Sequence, residues 1–270
     1  MNKMKRILIC LSALLIIAFA VTACGVSSGS GNADDTQKVL KVGVDDTYPP
    51  MEFKDESNAT VGFDIDVATE LAKKMGMKAE FISNDWAGIF LALESGKFDV
   101  IVSSVSRNEE RMEKYSMTTP YIANAQVIVV PADDTSIKEP KDLEGKNVGV
   151  QIGTTADESC AEYLKTTKFT LKQYDQVIQP FSDMKAGRLD AIVVDEVVAR
   201  YYVKKDPKSY KVSSARLTNE PIGVCFAKNS TELRDKAQKA LEELFADGTM
   251  KKLSEKWFGE DLTGNVKDIK

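Results

Sequence analysis

The 270-residue sequence has no histidine, two tryptophans and only four cysteines. Without imidazole there is no Ser-His-Asp or Cys-His nucleophile system and no His-ligated zinc. An enzyme built on this chain would depend on carboxylates, Lys, Tyr, Ser or Cys. Positive charge is also in deficit: 36 Lys and Arg against 41 Asp and Glu give a net charge of −5. Nucleic acid is therefore not an expected partner, because phosphate binding needs a basic surface that displaces counterions. The carboxylate pairs Asp45-Asp46 and Asp64/Asp66 lack the spacing of a full calcium loop, so neither a metal nor another cofactor is expected. What is present, 43% hydrophobic and 29% charged residues, is ordinary for a folded globular chain. The length allows one large domain or two lobes.

One long apolar run opens the chain. Lys3, Lys5 and Arg6 precede Ile7 to Ala20, which is apolar apart from Ser12. A basic region followed by about 7–15 apolar residues is the pattern of a secretory signal, whereas a membrane span needs about 20. Val21-Thr22-Ala23-Cys24 then resembles a bacterial lipobox, in which the chain is cut before the cysteine and its thiol is diacylated. Residues 1–23 are thus expected as signal peptide and Cys24 as the lipidation site. Residues 24–37, rich in Gly, Ser and Asp, are expected as a flexible tether spanning on the order of 20 Å. Losing Lys3, Lys5 and Arg6 with the signal would take the net charge to −8.

From Val39 onward, strand-like and helix-like patterns alternate. Val39–Val44, Ala79–Ile82 and Asp99–Val105 read as strands, with helices over Asp64–Met75 and Trp86–Leu93. Tyr121–Val130 is a long apolar β-rich run. A second alternation gives strands at Asn147–Gln151, Phe169–Tyr174 and Asp190–Val194. Its helices fall at Thr155–Leu164, around Ser182–Gly187 and at Glu196–Lys204. Ile222–Ala227 returns as a strand before two helices, Thr231–Ala246 with Ser230 as a candidate cap, and Gly248–Phe258. Such alternation predicts an α/β fold in two lobes, with crossings near Ala123 and Pro221. Lobe 1 is expected over 38–123 plus 221–262, and lobe 2 over 124–220.

Open α/β sheets bind ligands at the carboxyl ends of their strands. Four such ends carry polar groups: Asp45 to Tyr48, Ser103 to Ser106 with Arg107 and Arg111 beyond, Gly153 to Thr155, and Asp195-Glu196. Singly these are cap, turn or core residues. Together they suit a zwitterion. An arginine, Arg107 or Arg111, offers a planar fork for a carboxylate, Thr155 a helix start with free N–H groups, Asp195 an anion for an ammonium, and Tyr48 and Trp86 aromatic faces.

The segment Gly62-Phe63-Asp64-Ile65-Asp66-Val67-Ala68 resembles the signature of the polar-amino-acid family of extracytoplasmic solute-binding proteins, the capture subunits of ABC importers. Asp45–Phe53, Asp99–Arg111, Thr119-Pro120-Tyr121, Val148–Thr155, Gly187–Asp195, Asp247-Gly248-Thr249 and Lys256–Gly259 resemble further family segments in the same order, over roughly residues 38–260. The resemblance implies a two-lobed periplasmic-binding-protein-like fold. Each lobe is a sheet flanked by helices, and two hinge strands join them so that they close on the ligand. It implies that Arg111 holds the ligand carboxylate with backbone N–H groups at Ser106 and Thr155. Asp195 and the Ser104 carbonyl would take the ammonium, Tyr48 and Trp86 would sandwich the side chain, and Asp45 would sit near its tip. Arg107 stands where the family usually has an apolar residue, and Met51 where it usually has Phe.

The expected partners are a polar or basic amino acid, the permease of an importer, and the outer face of the bacterial cell membrane through the lipid, with the protein a monomer. Two other readings are a carboxylate-driven dehydratase or lyase on the same scaffold, for which no nucleophile–base pair is legible, and a free-standing sensor for a signalling receptor. Cys160 and Cys225 are expected as free, buried thiols, since a bond between a second-lobe helix and a returning first-lobe strand would tie together parts that must move.

Overall fold

A computed structural model describes residues 38–264 and 266. The expected signal peptide 1–23, lipid site Cys24 and tether 24–37 lie outside the described residues. From Lys38, β1 (Lys38–Val44) leads through β2 (Thr47–Tyr48), β3 (Glu52–Lys54) and β4 (Thr60–Val61) to helix α1 (Phe63–Lys74). Then come β5 (Met77–Ser83), α2 (Trp86–Glu94), β6 (Val100–Ile101), α3 (Glu109–Lys114) and β7 (Ser116–Met117). The second half runs β8 (Gln126–Pro131), β9 (Asn147–Gln151), α4 (Thr155–Tyr163), β10 (Thr170–Tyr174), α5 (Ile178–Lys185), β11 (Ala191–Asp195), α6 (Glu196–Lys205) and β12 (Tyr210–Arg216). The chain then returns through β13 (Cys225–Phe226) to α7 (Thr231–Ala246) and α8 (Thr249–Phe258).

Two five-stranded sheets result, β5-β1-β6-β13-β7 and β10-β9-β11-β8-β12, each flanked by helices as a lobe. A small antiparallel sheet, β2-β3-β4, sits beside the first. The patterning explains which residues face inward. In α1, Phe63, Val67, Leu71 and Ala72 bury one face, while Asp64 and Asp66 occupy the first turn and Lys73 and Lys74 the last, matching the helix dipole. In β8, Gln126 to Val130 are all buried, as a strand with neighbours on both edges and helices on both faces requires. The edge strand β5 alternates half-buried and exposed residues instead.

The crossings between the sheets lie side by side. Tyr121 N–H donates to the Ile222 carbonyl (2.8 Å), Ile222 N–H to that of Ile122 (3.0 Å) and Glu220 N–H to that of Asn124 (2.9 Å). Tyr121–Val130 is consequently not one strand: Ile122 belongs to an isolated bridge in the crossing, and regular pairing starts at Gln126. The expected strand Asp99–Val105 shrinks to Val100–Ile101, because Ser104 turns the chain with φ +47°. Ile222–Ala227 likewise narrows to β13. Ser230 stands at the start of α7, but its side chain makes no capping hydrogen bond.

Cys160, in α4, and Cys225, in β13, are free and buried, and burial pushes both thiols up to about 12. In protein lacking residues 1–24, a disulfide-exchange reagent at pH 8 is expected to find neither thiol while the chain is folded and both after denaturation. Rapid labelling of the folded form would contradict this burial, and a zero count after denaturation would contradict their being free.

Candidate functional site

The carboxyl ends of β1, β6, β9 and β11 converge on one narrow cavity between the sheets. All eight residues expected to form a site line it: Asp45, Tyr48, Trp86, Ser104, Ser106, Arg111, Thr155 and Asp195. Arg107 is not among the lining residues; its side chain lies against Gly223 instead.

Arg111 reaches the cavity because Asn108 caps the short helix α3, its side-chain oxygen accepting the Arg111 N–H at 2.8 Å. The Arg111 side chain is only 8% exposed. Its guanidinium carbon lies 5.5 Å from the Trp86 ring and 5.1 Å from the Phe90 ring, within cation–π range. One of its terminal nitrogens donates to the Ser106 carbonyl at 3.3 Å, and the other lies 3.9 Å from the half-exposed carboxylate of Glu158. The cation is thus shielded from water and left without a tight carboxylate partner, so a ligand carboxylate can still use its fork.

Asp195 supplies the opposite charge. It ends β11, and its carboxylate accepts from Tyr48 Oη (2.7 Å), Asn124 Nδ2 (2.6 Å) and Gln126 Nε2 (2.6 Å). Burial outweighs these donors and pushes its pKa up to about 6. Asp45, at the end of β1, accepts from Thr47 and from Gln151 (2.6 and 2.8 Å), and burial raises its pKa as well. Glu52, fully buried on β3, accepts from Ser103 Oγ at 2.7 Å; burial and the neighbouring Asp64 carboxylate push it well above the usual carboxylate range. Thr155 opens α4, whose first turn is capped by Thr154.

The two walls are closed on each other. Tyr48 Oη reaches Asp195, Trp86 Nε1 the Gly153 carbonyl (2.9 Å), Gln151 Nε2 reaches Asp45, and Asn108 Nδ2 reaches Glu158 (3.2 Å). Ser106 and Thr155 hydroxyls meet at 3.3 Å. Three polar lining residues, Glu52, Gln126 and Gln151, are not among the strand-end groups named from the sequence, whereas Ser103 and Thr154 lie within them. Gln151 ends β9, where a search of strand ends for polar side chains finds it, while Gln126 opens β8 inside the apolar run Tyr121–Val130, which no local signal divides.

Asp64 is buried too, with its pKa pushed up to about 6. For it and Asp195 the folded-state pKa exceeds the unfolded value of 3.8, so the folded protein keeps protons that the unfolded chain has released. Stability therefore falls as pH rises from about 4 through about 6, and the raised Asp45 and Glu52 act in the same direction. Exposed acids held low, such as Asp247 beside Lys74, lose their contribution only at more acid pH. Melting is accordingly expected at higher temperature at pH 5 than at pH 7, by about 1 kcal/mol for each of Asp64 and Asp195. An unchanged or lower melting temperature at pH 5 would mean these carboxyls are not raised.

A family profile described as bacterial extracellular solute-binding proteins, family 3, matches residues 40–260. The chain belongs to this family. Among curated relatives, the L-cystine-binding protein TcyJ of Escherichia coli K12 is 32% identical over 260 residues, covering 96% of this chain and 97% of that one. Among solved structures, an ancestral arginine-binding protein bound to arginine is 43% identical with a TM-score of 0.79, covering 82% of this chain and 98% of that one. An ancestral amino acid-binding protein, a precursor of cyclohexadienyl dehydratase, is 38% identical with a TM-score of 0.76, over 82% and 95%. Family members thus include proteins named for amino acids of quite different side chains on this one scaffold.

Proposed function

We propose that this chain is the extracytoplasmic capture subunit of an ABC importer, taking a free amino acid with a basic or polar side chain and delivering it to a permease. The single observation that carries the reading is the pairing of two buried, opposite charges in one cavity: Arg111, which has no tight ion pair, and Asp195. In this reading Arg111 forks the α-carboxylate, with N–H groups of Ser106 and Thr155 beside it. Asp195 and the Ser104 carbonyl receive the ammonium, Tyr48 and Trp86 flank the side chain, and Asp45 meets its tip. Carboxylates at the side-chain end favour a cationic group there, and the arginine-bound ancestral relative supports that preference.

The same reading makes 38–123 with 221–262 one moving lobe and 124–220 the other, hinged at the paired crossings. It also makes Cys24 the lipid anchor, holds the protein at the membrane as a monomer and assigns it no catalysis. The test is a thermal-shift and calorimetric titration of the purified protein with each proteinogenic amino acid and cystine. A ligand at 100 times its Kd raises stability by about 2.7 kcal/mol. The expected result is low-micromolar binding, about −8 kcal/mol, tightest for a basic amino acid or cystine, with the ligand recovered unchanged. No response to any amino acid would sink the reading, and turnover would move the chain to the enzymes.

A further inference from the structure

The one strained residue lining the cavity is Ser104. Its φ of +47° is left-handed, a region that a residue with a Cβ occupies only where its surroundings hold it. The group holding it is Asp64. One oxygen of the Asp64 carboxylate accepts the Ser104 N–H at 2.6 Å and the Ser104 hydroxyl at 3.3 Å, while the other accepts Tyr121 Oη at 2.8 Å. Asp64 is itself fixed in the first turn of α1, its own N–H on the Met51 carbonyl at 2.8 Å. It is fully buried and does not line the cavity; the lining residues it acts on are Ser104, through two hydrogen bonds, and Glu52, whose carboxyl it helps to push up.

Pinning the N–H side of Ser104 to a buried anion decides where the next carbonyl goes. Among the described residues, no backbone donor of the neighbouring strands and loops takes that carbonyl. We infer that Asp64 is a positioning residue of the ammonium site: its carboxylate locks Ser104 in the left-handed conformation that presents the Ser104 carbonyl to the ligand's ammonium. The inference rests on the amino-acid reading of the cavity. It also gives Asp64 of the segment Gly62-Phe63-Asp64 a task at a cavity it does not line.

A purely structural acid and a positioning acid differ in which ligand they affect. Binding is measured calorimetrically for the tightest amino acid of the titration above and for its des-amino acid, which for L-arginine is 5-guanidinopentanoate. Both carry the carboxylate; only the first carries the ammonium. Asp64→Ala should weaken the amino acid about tenfold and the des-amino acid less than about threefold. Asp64→Asn, whose amide oxygen still accepts the Ser104 N–H, should show the same selectivity at about threefold. Adding Ser104→Gly to Asp64→Ala should recover part of the loss, because glycine adopts positive φ without support. Equal losses for both ligands, or no loss, would overturn the inference while leaving amino-acid binding by the unaltered protein intact. If Asp64→Ala does not fold, the Asp64→Asn ratio decides alone. Failure of the unaltered protein to bind any amino acid would instead remove the functional reading itself.

Discussion

Arg111→Ala is expected to abolish amino-acid binding at any practical concentration, a loss of about 100- to 1,000-fold or more. Truncating one member of a desolvated, hydrogen-bonded charge pair costs about 3–5 kcal/mol, because the partner charge is left without an answer in a dry site. On the proposed reading the partner is the ligand carboxylate, which would enter a cavity already rich in acids. Asp45, Glu52 and Asp195 all line it, and Arg111 is its cation. Arg111→Lys should fall between, losing about 10- to 100-fold, since an ammonium supplies charge but not the planar fork. Folding should survive, as the guanidinium rests on the faces of Trp86 and Phe90 and holds no tight ion pair whose loss would strand a buried anion. Calorimetry and melting curves on the same samples separate the two effects. Binding within about fivefold of the unaltered protein would place the carboxylate elsewhere, with Arg107→Ala as the variant to compare.

Gly62→Ala should produce the largest loss of stability from a single methyl group. Gly62 sits just before α1 with φ +145°, a backbone state that side chains rarely adopt. A Cβ there would lie 2.1 Å from the Met51 carbonyl oxygen and 2.8 Å from the Glu52 Cα, both backbone atoms that cannot swing aside. Strain and overpacking together should cost about 3 kcal/mol or more, which lowers the melting temperature by about 6–12 °C in a domain of this size. Gly76→Ala provides the control: its φ of +71° is also positive, but nothing lies within 4 Å of the new Cβ. It should cost about 1 kcal/mol. Equal effects at the two positions would show that conformation, not the contact with Met51, sets the penalty.

Much of this arrangement is legible in the sequence because period and position work together. A buried strand such as Val148 to Gln151 announces itself by its apolar run, and the first polar residues after such a run are candidates for a cleft. Asp45, Ser104 and Asp195 were reached in that way. Arg111 lies on a capped helix beyond the strand end, where position alone offers it together with Arg107, and family resemblance singles it out. The three strands β2, β3 and β4 have only two or three residues each and leave no periodic trace. β12, Tyr210 to Arg216, contains two serines and a half-buried pattern, and only its pairing with β8 makes it a strand. The roles of Gln126 and Gln151 depend on which residues the closed walls bring opposite them, a tertiary fact that no local pattern encodes.

The order of the strands also governs how the polypeptide matures as it leaves a ribosome or a translocation pore. Every strand of the second sheet lies within the uninterrupted stretch from β8 to β12. The first sheet, begun at Lys38, has a gap between β6 and β7 that only β13 fills. Its early strands must therefore wait, with an unpaired edge at β6, until residues 225–226 have emerged. An open apolar edge is where incomplete chains associate wrongly, so this waiting segment is the exposed edge of the unfinished lobe. The first lobe is started first and finished last.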